Sequence, residues 1–162
     1  MSLRWAIKGR QKSRAGFALI EFLIVITIIG IVATIAVPRY TSAAAGFELD
    51  RASRQLTADL RWTIQMATNS TNDSNVKIRF SNSAPYGYSI VQGAVEAVIK
   101  PMVVFPATVQ LASSNQTVAF NVLGRPTDGN NLIVTISNTL GQNRNVTVDA
   151  VPGRIRIQQT GT

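Results

Sequence analysis

The sequence contains neither cysteine nor histidine among its 162 residues. Without cysteine there are no disulfides, thiolate metal sites or cysteine nucleophiles, and without histidine neither the usual zinc sites nor a Ser-His-Asp triad can be built. The sequence also shows no glycine-rich phosphate loop and no nucleotide-binding fingerprint. These absences predict a protein that is not an enzyme and that carries no cofactor.

Charged residues are scarce, at 15 % of the chain, where soluble domains have about 25 %. Because the hydrophobic content is 46 % and no internal repeat is visible, we expect one globular core with an appendage. Five of the net eight positive charges lie within the first sixteen residues, at Arg4, Lys8, Arg10, Lys12 and Arg14. The rest of the chain carries a net +3, which weakens the usual inference from a basic protein to nucleic acid.

The long hydrophobic run covers residues 17–37, FALIEFLIVITIIGIVATIAV, and its only ionisable side chain is Glu21. A helix of this length, at about 1.5 Å per residue, spans the roughly 30 Å of a hydrocarbon core. The basic residues before it should stay in the cytoplasm by the positive-inside rule. The segment is therefore predicted to cross the membrane once, with the rest of the chain outside.

Two interpretations of this segment are open. An uncleaved signal anchor fits its length, and its end, AVPRY, has no small-x-small cleavage site. Gly16 and Glu21 favour cleavage instead, because Gly16 offers a cytoplasmic-face peptidase a small residue where the chain can unwind. An acid at the centre of a membrane span costs about 2.5–3.5 kcal/mol. Cleavage after Gly16 would supply a partner for Glu21, the α-amino group of Phe17 on a neighbouring subunit.

The string KSRAGFALIEFLIVITIIGIVATIAVPRY resembles the class III signal of type IV prepilins and type II secretion pseudopilins. The resemblance implies that a prepilin peptidase cleaves after Gly16 and methylates the amino group of Phe17, and that Glu21 registers the subunit by neutralising a neighbour's amino terminus. It also implies a single-pass protein of the bacterial inner membrane with its head in the periplasm. The implied partners are the peptidase, other pilin or pseudopilin subunits and an inner-membrane assembly platform.

Beyond Pro38 the apolar pattern becomes one-sided, which predicts an amphipathic continuation of the same helix. Its apolar positions are Ala45, Leu49, Ala52, Leu56, Leu60, Ile64 and Ala67. The polar cluster at residues 69–75 should end this helix. Strand patterns follow, beginning at Val76, Tyr86, Thr117, Leu132, Asn145 and Gly153. The segment from Gly93 to Gln110 gives no clear pattern.

The predicted fold is α+β: a long N-terminal helix, transmembrane in its first half, packs its second half on a mostly antiparallel β-sheet head. The predicted divisions are a leader at 1–16, a transmembrane and assembly segment at 17–37, an amphipathic helix at 38–69 and a β-rich head at 70–162. The carboxyl-terminal half, TVAFNVLGRPTDGNNLIVTISNTLGQNRNVTVDAVPGRIRI, resembles GspH/FimT-like minor pilins. This resemblance implies a minor pilin or pseudopilin rather than a major subunit.

DNA binding is an alternative function. Arg154 and Arg156 alternate with isoleucines, so both arginines are predicted to share one face of a strand. In some DNA-uptake minor pilins of the resembling branch this tail is part of a DNA-binding face, and further basic residues here could join it: Lys77, Arg79, Arg125 and Arg144. A solvated edge strand kept soluble by charge explains the same pattern.

Two other groups are ambiguous. Tyr86 and Tyr88 lie on one face of a predicted strand, where they either stack on bases or pack in the core. Asp128 and Asp149 raise the question of calcium, but that ion needs six to eight oxygen ligands and no loop of regularly spaced acids is present. The sequence therefore predicts no metal site.

Overall fold

The computed structural model describes residues 15–70, 76–151 and 153–160. The predicted leader therefore lies almost wholly outside the described residues, as do Asp73 and Pro152. The described part contains one helix, α1, at Ala15–Thr68, and eight strands. The strands are β1 at Val76–Ser81, β2 at Gly87–Gln92, β3 at Ala97–Val104, β4 at Val109–Ser113, β5 at Thr117–Phe120, β6 at Leu132–Asn138, β7 at Asn143–Val148 and β8 at Ile155–Thr160.

The predicted long helix and antiparallel head are both confirmed. The apolar stripe predicted for the second part of α1 is the face that packs on the strands. Its fully or nearly buried members are Leu49, Ala52, Leu56, Leu60 and Ala67. Pro38 lies inside the helix, where it lacks the N–H that would bond the carbonyl four residues earlier. The helix is therefore locally weaker around that position.

The head contains two four-stranded antiparallel sheets, with strand orders β3-β2-β1-β5 and β4-β6-β7-β8. Alternate residues of their strands turn inward, as a strand repeat of two requires. In β1 the inward residues are Val76, Ile78 and Phe80, and in β6 they are Leu132, Val134 and Ile136. Together with the leucines of α1 these side chains form one continuous core. Each buried side chain of this size contributes about 1.5–3 kcal/mol by leaving water.

Two strands, β3 and β4, were not predicted: β3 lies wholly within the segment that gave no clear pattern, and β4 begins at the end of it. Strand β3 is an edge strand with irregular register against β2, and it contains Pro101. Its burial does not alternate, so it lacks the period-two signal. The last predicted strand, placed from Gly153, begins two residues later at Ile155.

The chain forms two compact units, and the boundary between them lies between Tyr40 and Thr41. The part of α1 from Thr41 onward belongs to the same compact unit as both sheets. The compact unit that contains the sheets therefore includes nearly thirty residues of helix as well as the strands. The sequence-based division, in which the β-rich head starts at residue 70, stays a prediction.

Candidate functional site

The predicted cleavage site lies where the described part of α1 begins, at Ala15. The backbone of Gly16 and Phe17 is helical there. The roles of Gly16 and Phe17 as cleavage and methylation sites remain predictions.

The segment that follows exposes its apolar side chains on every side. Between Leu19 and Val37 the large hydrophobic residues are 44 % to 66 % exposed, and this part of the helix is long and apolar enough to cross a membrane. Glu21 is exposed within it and has no hydrogen bond or ion pair with any residue that the structure describes. The segment can thus present an apolar surface with one carboxylate to a membrane or to other helices.

In the head, by contrast, every carboxylate that the structure describes has a partner within the chain. Asp50 accepts from Arg144 at 2.9 Å, and Asp149 accepts from Arg156 at 2.7 Å. The other partners are Thr108 for Glu48, Lys100 and Tyr88 for Asp59, Arg79 for Glu96, and Asn115 for Asp128. The acids of the head therefore act within the fold.

Asp59 joins α1 to the sheet β3-β2-β1-β5. Its carboxylate accepts two hydrogen bonds from Lys100 Nζ at 2.6 Å and one from the Tyr88 hydroxyl at 2.5 Å. Tyr88 is 1 % exposed and packs edge to face on Phe105, with ring centroids 5.8 Å apart. Burial, reinforced by the neighbouring Asp59 carboxylate, raises the pKa of Tyr88 far above its ordinary value. This cluster is structural, and Tyr88 belongs to the core rather than to a base-stacking surface.

The structure does not bring the predicted DNA-binding arginines together as a free pair. Arg156 lies in β8 opposite Thr147 and donates to Asp149. Arg154 precedes the strand and is exposed. Of the other basic residues considered, Arg79 and Arg144 are also held by acids, at Glu96 and Asp50. DNA binding through this tail stays a prediction, with fewer free cations than the sequence suggested.

One contact that the sequence did not reveal lies beside that tail. Gly124 and Gly153 both have positive φ, +72° and +81°, and a Cβ on Gly153 would stand 2.6 Å from the carbonyl oxygen of Gly124. A Cβ on Gly124 would in turn stand 2.8 Å from Ile64 of α1. The turn after β5 and the turn before β8 therefore touch backbone to backbone, against the helix. In the sequence, the only sign of this contact was the glycine that each of the two turns contains.

Asp128 and Asp149, which raised the question of calcium, have different partners in the structure. Asp128 accepts from the Asn130 backbone N–H within its own turn, and Asp149 belongs to the ion pair with Arg156. Among the described residues, no group of three or more acids, cysteines or histidines could hold a metal ion. Asp128 therefore stabilises its own turn, and Asp149 neutralises Arg156.

The comparisons with known proteins concern two different parts of this chain, the N-terminal segment and the head. Residues 11–37 match the family model described as the prokaryotic N-terminal methylation motif. Two fimbrial proteins of Pseudomonas aeruginosa are each 45 % identical over 48 residues, which is 30 % of this chain and 31 % of the relative. The match thus spans less than a third of the length of those relatives.

The fold of the head is similar to that of solved structures. Two crystal structures of the type IV minor pilin FimU of Pseudomonas aeruginosa each superimpose with a TM-score of 0.54. They cover 70 % and 69 % of this chain and 89 % and 92 % of the FimU chains, at 20 % and 16 % identity. At such identity the likeness speaks for the fold alone. The N-terminal segment is thus similar to the prokaryotic methylation motif, and the fold of the head is similar to that of the minor pilin FimU.

Proposed function

We propose that the protein is a minor-pilin-type subunit of a type IV pilus-like or type II secretion filament, cleaved after Gly16 and methylated on the amino group of Phe17. One observation carries the proposal. A helical segment whose apolar side chains are all exposed, with a lone carboxylate at Glu21, directly follows the predicted cleavage site and lies within the matched motif. The protein then works by assembly rather than by catalysis.

The energetic logic rests on the two surroundings available to this segment. Before assembly its apolar side chains are stabilised by lipid, with one span across the bacterial inner membrane and the head in the periplasm. In a filament they are buried against the helices of other subunits. The Glu21 carboxylate meets the new α-amino group of a neighbour there, and two charges at a dry interface attract several times more strongly than in water.

The test is the intact mass and N-terminal sequence of the full chain recovered from membranes with and without a prepilin peptidase. We expect a chain that begins at Phe17 with one added methyl group when the peptidase is present, and a chain that begins at Met1 or Ser2 when it is absent. A chain that keeps its leader in both membranes would show that the segment is an uncleaved signal anchor, and the filament proposal would fail.

A further inference from the structure

The exposed face of α1 within the head carries an unusual ridge. The buried stripe of this helix follows steps of four and three residues, at Leu49, Ser53, Leu56, Leu60, Thr63 and Ala67. The same steps, displaced by two positions, give Phe47, Arg51, Arg54, Ala58, Arg61 and Gln65, all of which are exposed. Two positions correspond to about 200° around a helix. These six residues, here called the arginine ridge, therefore lie opposite the packed face.

The three arginines of the ridge form no ion pair with any residue that the structure describes. The sequence does place acids where helix pairs usually form, with Glu48 three residues before Arg51 and Asp50 four residues before Arg54. In the structure these acids bond to other residues instead, Glu48 to Thr108 in the turn before β4 and Asp50 to Arg144 in β7. The fold thus removes the natural neutralising partners from the ridge.

No other described carboxylate of the head neutralises the ridge, because each one already has another partner within the chain. Arg51 and Arg54, at a spacing of three, repel each other by about 0.2–0.5 kcal/mol in a helix. The ridge therefore retains a cost in stability that a solvent-facing surface of mixed charge would not have. Arg51 and Arg61 span ten residues, or about 15 Å along the helix axis.

We infer that the arginine ridge is a docking surface for a carboxylate-rich face of a neighbouring pilin subunit. Guanidinium groups bind carboxylates through two parallel hydrogen bonds and are enriched at protein interfaces, where lysine is depleted. Phe47, which is 73 % exposed at one end of the ridge, supplies an apolar anchor beside the charges. The inference rests on the proposed filament function and specifies the chemistry of the partner.

Phosphate groups of DNA would also meet three arginines. The ridge favours a protein, because its remaining positions are Phe47, Ala58 and Gln65, which add apolar contact and an amide. Its straight line of side chains, one or two per turn, is the pattern by which helices pack against other proteins. DNA binding is therefore an outcome that would overturn the inference.

The experiment uses the full chain in cells that contain its filament machinery, with p-benzoylphenylalanine at Ala58 for light-induced crosslinking. We expect crosslinks to peptides of other pilin subunits that carry Asp or Glu near the crosslinked residue. The variant R51E/R54E/R61E should reduce both crosslink yield and incorporation into sheared filaments at least about tenfold, equivalent to 1.4 kcal/mol. The control Q158E adds a negative charge at an exposed position outside the ridge and should change both within about twofold.

A second variant, R51K/R54K/R61K, keeps the charge and protects the test against misfolding of the reversed chain. It should incorporate better than the reversed variant and less well than wild type, since lysine cannot make the paired bonds of arginine. Equal incorporation and crosslinking of the reversed and wild-type chains would overturn the inference, as would crosslinks to DNA. If the wild-type chain itself is processed but never enters a filament, the proposed function fails instead.

Discussion

The two parts of α1 differ in how far their hydrophobic side chains are exposed. Between Leu19 and Val37 large hydrophobic residues are about half exposed on every face, whereas Leu49, Leu56 and Leu60 are at 0 %. Among the described residues, the one acid of the first part has no partner, whereas the three acids of the second part bond to residues of the strands or of the turn before β4. A single helix thus contains a segment that must find apolar surroundings outside its own chain and a segment that completes its own core.

The largest effect should come from the one charge of the first part. Glu21→Gln keeps the size of the side chain but removes its charge, so we expect normal cleavage and at least about tenfold less protein in sheared filaments, since breaking one side of a buried pair costs several kcal/mol. Immunoblots of the filament and membrane fractions measure this. Thr27→Ala, which removes a polar group from the same segment, should remain within about twofold. Undiminished incorporation of Glu21→Gln would contradict the assembly role.

A matched pair of leucines compares the two parts directly. Leu56→Ala leaves a cavity in the core and should lower the free energy of unfolding of the head by about 2–5 kcal/mol. Leu23→Ala removes the same atoms from the exposed part and should change it by less than about 0.5 kcal/mol. Urea unfolding of the full chain in detergent, followed by near-ultraviolet circular dichroism, measures both. Equal losses would mean that the first part also supports the head.

The smallest effect should appear as a dependence on pH. Because Tyr88 has a raised pKa in the folded head, its stabilising contribution is complete below the ordinary tyrosine pKa of about 10 and is lost as pH rises above it. The free energy of unfolding should therefore fall by up to about 1.4 kcal/mol per pH unit from this group. Tyr88→Phe should flatten the slope above pH 10, and Tyr86→Phe, which leaves the Asp59 cluster intact, should retain it.

Much of this architecture could be predicted from the sequence because periodicity reports burial. The apolar run, the one-sided stripe from Leu49 to Ala67 and six of the eight strands all follow repeats that burial imposes. Strand β3 could not be predicted, because an edge strand with Pro101 and a register shift exposes and buries side chains without alternation. The roles of Gly16, Phe17 and Glu21 follow from the motif and stay predictions here.

The pairing of charges was beyond the reach of the sequence. Spacing along the helix suggests that Asp50 pairs with Arg54. In the structure Asp50 instead pairs with Arg144, ninety-four positions later. Likewise the alternation of Arg154 and Arg156 gave no sign that Asp149 neutralises one of them. Such choices depend on which strands the fold places beside each helical face, and a local pattern does not contain that information.

The contact between Gly124 and Gly153 has a consequence for how this head can diverge. Gly153 cannot gain a side chain unless the backbone at Gly124 moves, and Gly124 cannot gain one unless the side chain of Ile64 moves. Three positions far apart in the chain are therefore restricted together. Among relatives that keep this junction, substitutions at these positions should occur jointly or not at all, and a larger residue at one of them should mark a lineage in which the last strand docks differently.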